Sequence, residues 1–314
     1  MKKILIFGGF GFIGTNLIEE LTNRGGYEIY IFEAKNALIQ NPDLLKKVKV
    51  YSGEFNNIED YEVIFKEHLI DLVIHLINTN IPSSSNKNVI FDITSNLINT
   101  INLLNIMLKY NCKNIVFLSS GGTIYGISRD RKKKKETDSK NPLSSYGIVK
   151  LTIEKYIHLY SYLHGLIYLI LRPSNPFGEY HKNQKQGIIN VILKKALNRE
   201  TVEIWGDGTV VRDFIYVKDL VKIIFDLIES KIQNEIFNIG SGKGYSINDI
   251  IEIVQKEIGN FKLEYKDARK VDIPYLILNI DKLEKHLELN LTSIEEGIKK
   301  TSKWLKERYL RIYK

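Results

Sequence analysis

The chain has one cysteine, Cys112, among 314 residues. No intrachain disulfide can form, and a reducing compartment, the cytoplasm by default, is expected. No metal site is expected. No apolar run reaches the about 18 residues that a membrane span needs. The opening "MKKILIFGG" carries two lysines and a short apolar run. A secretory leader has a longer apolar region and a small-residue cleavage site, so none is expected here. Internal repeats and low-complexity linkers are also missing, so regions that differ in pattern are expected to share an intimate interface.

Acidic residues are in deficit: 37 against 45 basic, a formal charge of +8. Lysine is spread along the chain, and the one dense cluster is "RDRKKKK" at 129–135. It reads as a solvated loop or as an electrostatic aid to an anionic ligand. A nucleic-acid surface needs further basic patches interleaved with aromatics, and these are not found. The remaining composition, 44% hydrophobic and 26% charged, is that of an ordinary globular protein long enough for one large domain and a smaller one.

Short apolar runs alternate with helical patterns. "KILIF" (3–7) precedes a glycine-rich turn and then Leu17, Ile18 and Leu21 at helical spacing, with Gly25 as a stop. Further strands are expected at 27–32, 48–53, 71–77, 114–120 and 166–173, and "PLSSYGIVKLTIEKYIHLYSYLHG" reads as a long helix ending at Gly165. Strands apolar on both faces and alternating with helices imply a Rossmann-type, doubly wound parallel sheet in an α/β fold. After about residue 175 the rhythm becomes mixed. Domains are expected at 1–174 and 175–314, the second a smaller mixed α/β unit, with some of 210–240 returning to the first.

"FGGFGFIG" (7–14) sets Gly8, Gly11 and Gly14 at three-residue spacing between the first strand and the first helix. Such glycines permit a tight turn and close approach of backbone to a pyrophosphate at a helix N-terminus. The second strand ends at Glu33, 19 residues after Gly14. An acid there accepts from ribose hydroxyls and repels a 2′-phosphate, which favours NAD over NADP. A structural turn with a surface Glu is the plain alternative. Phe12, Ile13 and, after the third strand, Glu54 are assigned to the same cofactor.

"YGIVK" places Tyr146 and Lys150 four apart, on one helix face. A phenol with a reference pKa of about 10 is a poor base at neutral pH, but a lysine cation beside it stabilises the phenolate. By itself the pair says little in a lysine-rich chain with 18 tyrosines. Its weight comes from the glycine motif upstream and from the hydroxyl-rich strand end "FLSSGGTIYG" (117–126).

Jointly, "GGFGFIG", "VIHL", "NLINTINLL", "SSGGTIYG", "SSYGIVK", "LRPSNPFG", "WGDGTVVRDFIYVKDL" and "ARKVDIP" resemble the extended short-chain dehydrogenase/reductases of the nucleotide-sugar epimerase/dehydratase group. The resemblance spans almost the whole chain. It implies tightly held NAD, a tyrosine that takes the proton of a sugar 4-hydroxyl, and hydride transfer at C4. Asn96 matches the family's cofactor-proximal Asn, although Asn99 replaces the usual Gly of that motif. Asn175 matches a sugar or diphosphate contact, Arg212 and Arg269 the diphosphate-clamping arginines, Asp272 an acid near the ribose, and Trp205 an aromatic against the base. A turn before Pro176, ordinary surface charges and a core tryptophan are the plain alternatives. Family members often dimerise through two long helices, here 89–110 and 144–164, so a homodimer is expected.

Related dehydratases carry an acid two residues before the tyrosine of the strand-end "YG"; here Thr123 and Gly122 stand there, so 4,6-elimination is not expected. Epimerases place a hydroxyl four residues before that tyrosine, where this chain has Gly121. The role passes to Thr123, preferred because it is stiff at χ1, or to Ser120. The leading expectation is an NAD-dependent 4-epimerase of a UDP-hexose. A 4-keto-sugar reductase or 4-dehydrogenase on a dTDP-6-deoxyhexose is the second reading, and a non-catalytic NAD-binding scaffold or sensor the third. Leu276 falls where some epimerases carry a bulky tyrosine, which leaves room for an N-acetyl group.

Overall fold

A computed structural model describes residues 1–127, 131–182, 186–268 and 273–312. By internal contacts the chain forms two units, the first comprising 1–124, 142–172 and 221–237, the second 125–141, 173–220 and 238–314. One change between the units falls at 172/173. The sequence reading had not set 125–141 apart from the first domain.

In the first unit the chain runs β1 (Lys2–Phe7), α1 (Phe12–Arg24), β2 (Tyr27–Glu33), β3 (Lys49–Ser52), α2 (Ile58–Glu67) and β4 (Leu72–His75). Two single-turn helices follow, α3 (Pro82–Ser85) and α4 (Val89–Asp92), then a π-helical stretch (Ile93–Ile98) and α5 (Asn99–Lys109). Next come β5 (Asn114–Leu118), α6 (Ser145–His164) and β6 (Ile167–Pro173). The seven-stranded sheet has the order β10-β6-β5-β4-β1-β2-β3, with β10 (Glu235–Ile239) supplied late in the sequence. Every pairing from β3 through β6 is parallel. Ile4, Leu5, Ile6 and Phe7 are wholly buried, as a central strand covered on both faces requires. The strand order reverses beside β1, and in such sheets ligands bind at that switch point, outside the C-terminal ends of the strands.

α6 is delimited by local chemistry. Ser144 caps its N-terminus, its side chain accepting from the Gly147 N–H, and Gly165 ends it in the left-handed region at φ 68°. The helix expected over 89–110 runs on through Val89–Lys109 with a π stretch inside it, where Asn96 turns its side chain onto Asp92 and Thr79. Such wide turns recur at functional sites.

The second unit holds β7 (Asn175–Phe177), α7 (Ile188–Leu197), β8 (Val202–Trp205) and β9 (Val211–Tyr216), and α8 (Val217–Glu229) leads out of it. It continues with β11 (Gly244–Ser246), α9 (Ile247–Ile258), β12 (Leu263–Lys266), β13 (Tyr275–Leu276), α10 (Asp281–Glu284) and α11 (Ile294–Ile312). β9 is its centre, pairing with β7, β11 and β13. Its core joins Phe177, Ile192, Ile204, Phe214, Ile250 and Ile298.

Beneath the sheet ends of the first unit, Glu154 of α6 and Arg172 of β6 form a two-pronged ion pair, Nη2 to Oε2 at 2.6 Å and Nε to Oε1 at 3.0 Å. Both are about 98% buried, at 2% and 3% side-chain exposure. Removing one partner of such a pair strands a charge in the interior, which costs about 3–5 kcal/mol. Arg172→Met is therefore expected to lower unfolding free energy by about 3–5 kcal/mol in urea melts, and an unchanged midpoint would refute this account of the pair.

Candidate active site

The glycine turn is fixed by backbone crowding. Gly8 has φ +84°, and its N–H donates to the Phe32 carbonyl at 3.0 Å. A Cβ on Gly14 would lie 2.5 Å from the carbonyl oxygens of both Gly8 and Gly9, a separation only glycine allows. Gly11 precedes α1 and offers no side-chain cap, so the first-turn N–H groups face the loop. Phe12 and Ile13, half-buried, are the first residues of α1. Glu33 reaches back from the end of β2, its Oε2 accepting the Phe10 N–H at 2.9 Å. This tie makes the acid part of the loop. Glu54 is exposed and its backbone N–H donates to Asp60 at 2.8 Å. A cradle with no room for side chains and first-turn N–H groups facing it fits the pyrophosphate of a dinucleotide.

The first turn of α6 brings Tyr146 beside the end of β5. Lys150, one turn on, is 3% exposed; its Nζ donates to the Leu118 carbonyl at 2.9 Å and lies 4.8 Å from the Phe117 ring centroid. The Tyr146 ring is 5.9 Å from the same ammonium. Burial pushes the Lys150 ammonium down to about 8, against the raising influence of Glu154 and Asp92. Burial pushes the Tyr146 phenol up to about 12; a hydrogen bond from Ser120 favours the phenolate and the Asp92 carboxylate opposes it. His75 of β4, 2% exposed, is pushed down to about 3 by burial and by Lys150, and is neutral beside that cation.

Ser120 is thus the hydroxyl brought to Tyr146. Thr123, preferred from the sequence, has its Oγ1 enclosed without a hydrogen-bond partner. The turn built on Gly121 and Gly122 folds Thr123 against α6, where a Cβ on Gly147 would sit 3.1 Å from the Thr123 carbonyl. Stiffness at χ1 holds the Thr123 hydroxyl in packing rather than aiming it at the phenol.

Asn96 is buried. Its Oδ1 accepts the Thr79 N–H at 3.0 Å and its Nδ2 donates to Asp92 Oδ1 at 3.0 Å. Asn99 bonds the Ser95 carbonyl. Sequence reading missed Asp92, Ser85, Asn86 and Ser145, which surround the start of α6. The one local signal was the i, i+4 placement of Asp92 before Asn96.

In the second unit, Asn175, Trp205 and Arg212 line one cavity of about 220 Å³ with Ile188, Ile204 and Val210. Asn175 Nδ2 donates to the Asp213 carbonyl at 2.8 Å, and Arg212 Nη1 to its neighbour's carbonyl, Val211, at 3.0 Å. Trp205 is 43% exposed. Leu276 is buried, in register with Arg212 across β13 and β9. Arg269 and Asp272 lie outside the described residues. Among the described residues there is no cluster of three or more potential metal ligands and no helix long and apolar enough to cross a membrane.

Residues 4–240 match the model of the NAD dependent epimerase/dehydratase family. The chain belongs to that family, and its cofactor is NAD. A relative in Methanocaldococcus jannaschii, named provisionally as a UDP-glucose 4-epimerase, is 34% identical, covering 96% of this chain and 98% of its own. The dTDP-4-dehydro-6-deoxyglucose reductase of Escherichia coli is 31% identical, covering 96% of each. The crystal structure of a Thermotoga maritima UDP-glucose 4-epimerase with UDP-glucose superposes with a TM-score of 0.92 at 31% identity, covering 98% of this chain and 99% of that one.

A methyl group at position 14 must displace two carbonyls. The strain of such overpacking, typically about 1–3 kcal/mol, is expected to fall on the bound state. Gly14→Ala should weaken NAD binding by about 5- to 150-fold in a fluorescence titration, and wild-type affinity would show that the loop does not hold the cofactor.

Proposed function

We propose that this protein interconverts the C4 epimers of a nucleoside-diphosphate hexose, with a UDP-hexose as the first candidate. The observation that carries the reading is the convergence of Ser120, Tyr146 and buried Lys150 at the end of β5. NAD, when bound at Gly8, Gly11, Gly14 and Glu33, supplies the hydride acceptor and donor for C4. Tyr146 Oη takes the proton of the sugar 4-hydroxyl and returns it after the 4-keto sugar has turned over. Ser120 Oγ, bonded to that phenol, holds the 4-oxygen in line. Lys150, one of whose three N–H donors is taken by the Leu118 carbonyl, favours the phenolate by its charge. In the second unit, Arg212 and Asn175 are assigned to the diphosphate and Trp205 to the base, with Arg269 and Asp272 as further candidates from the sequence. Positions 121–123 carry no acid, which supports epimerisation over 4,6-elimination.

A homodimer is part of the proposal. Ile90, Phe91 and Ile98 in the 89–98 segment and Ile148, Leu159 and Leu163 on α6 are 43–70% exposed, and a second copy would cover such faces. We place the activity in the cytoplasm on the strength of the single cysteine. The E. coli reductase relative supports the second reading, reduction of a 4-keto dTDP-sugar.

Purified protein should convert at least one of UDP-glucose, UDP-galactose or their N-acetylated forms without added cofactor. Turnover of none of these, together with stoichiometric NAD(P)H consumption on a 4-keto sugar, would replace the epimerase by the reductase. Tyr146→Phe should lower kcat by about 10²–10⁴-fold. Ser120→Ala should cost about ten- to a hundredfold in kcat while Thr123→Val stays within a few-fold; the reverse order would return the role to Thr123. Leu276→Tyr is expected to reduce kcat/KM for N-acetylated substrates more than for UDP-glucose, and equal losses would remove Leu276 from the sugar site.

A further inference from the structure

Asp92 is 1% exposed, yet none of its hydrogen-bond partners is a cation. Its Oδ1 accepts from Asn80 Nδ2 and Asn96 Nδ2, both at 3.0 Å, and its Oδ2 from Ser145 Oγ at 2.7 Å. The three donors come from the loop after β4, the π stretch and the first residue of α6. The same segment satisfies the start of α6: Asn86 Oδ1 accepts the Ser145 N–H at 2.8 Å, and Ser85 Oγ the Tyr146 N–H at 3.1 Å. Three side chains from 85–96 (Ser85, Asn86 and Asp92) and the cap Ser144 thus converge on the turn that carries Tyr146.

The charges around this turn divide into two sets. Glu154, one turn beyond Lys150 on α6, is neutralised by Arg172 of β6 and also accepts from Ser119. His75 of β4 faces Lys150 as a neutral ring. β5 contributes only the Leu118 carbonyl and the Phe117 ring to the ammonium. Among the described residues, Lys150 has no contacting carboxylate and Asp92 no contacting cation. The Asp92 charge opposes ionisation of Tyr146, whose ring lies 5.9 Å from the Lys150 ammonium.

We propose that Asp92 is the buried counter-charge of Lys150 and a positioning residue for Tyr146, setting both the location of the phenol and the tightness with which it holds its proton. This rests on the reading of Tyr146 as the proton acceptor. The charge of a lysine beside the phenol favours the phenolate and so opposes return of the proton. Asp92 offsets that bias from a distance, through neutral hydrogen bonds that keep it off the reacting atoms.

The test is a spectroscopic titration of Tyr146 in NAD-loaded, substrate-free protein, by near-ultraviolet difference against Tyr146→Phe in the same background. In Asp92→Asn the phenol should ionise lower by on the order of one pH unit, and Asp92→Glu, which keeps the charge, should stay near wild type. An unshifted or raised midpoint in folded Asp92→Asn overturns the proposal. If Asp92→Asn does not fold, Ser145→Ala decides: it withdraws one dipole from the carboxylate, so the midpoint should rise, and an unchanged or lowered one is refuting. No sugar is involved, so the two readings separate. A shifted titration without turnover on any sugar defeats the epimerase alone, and turnover without the shift defeats only the role of Asp92.

Discussion

A lysine cation buried to 3% exposure is the constraint around which the first unit is organised. An ammonium there is tolerable only with a strong acceptor, polarisable faces and a balance of charge nearby. The end of β5 supplies the Leu118 carbonyl and the Phe117 ring. His75 must be neutral, Glu154 must be matched by Arg172, and Asp92 must be held by neutral donors. Each condition ties another element, β4, β6 or the 85–96 segment, to the same few side chains. The chemistry assigned to Tyr146 is a by-product of this arrangement, because a phenol at that point lies within the field of the cation.

The two units solve different problems with similar means. In the first, backbone is brought so close to backbone that Gly14 has no space for a Cβ, leaving peptide groups rather than side chains to line the turn. In the second, the cavity beside β9 is walled by aliphatic side chains, with Asn175 and Arg212 as sparse polar groups and Trp205 half open. Few polar groups on an apolar wall orient a ligand strongly, since each must be satisfied.

The parallel sheet was legible because its strands are apolar on both faces and its helices carry their own stops, as at Gly165. Tyr146 and Lys150 were legible because helical periodicity sets them on one face and because the glycine motif and the hydroxyl-rich strand end stand upstream of them. The segment 125–141 was not: it has no periodicity that shows which unit its backbone joins. Its membership depends on pairings such as Lys134 with Leu278, far along the chain. The π stretch was equally hidden, since it arises from where the Asn96 side chain finds its partners.

Local spacing and glycine chemistry determined the fold class and set Tyr146 and Lys150 on one helix face, because these depend on residues near one another in sequence; the family rested on the joint resemblance of its motifs. Tertiary structure alone decided which hydroxyl meets the phenol. Ser120 and Thr123 are three residues apart in one turn, and only the packing of that turn on Gly147 of α6 turns one oxygen toward Tyr146 and encloses the other. The same holds for Asp92, whose charge matters through an approach to α6 that no local pattern encodes.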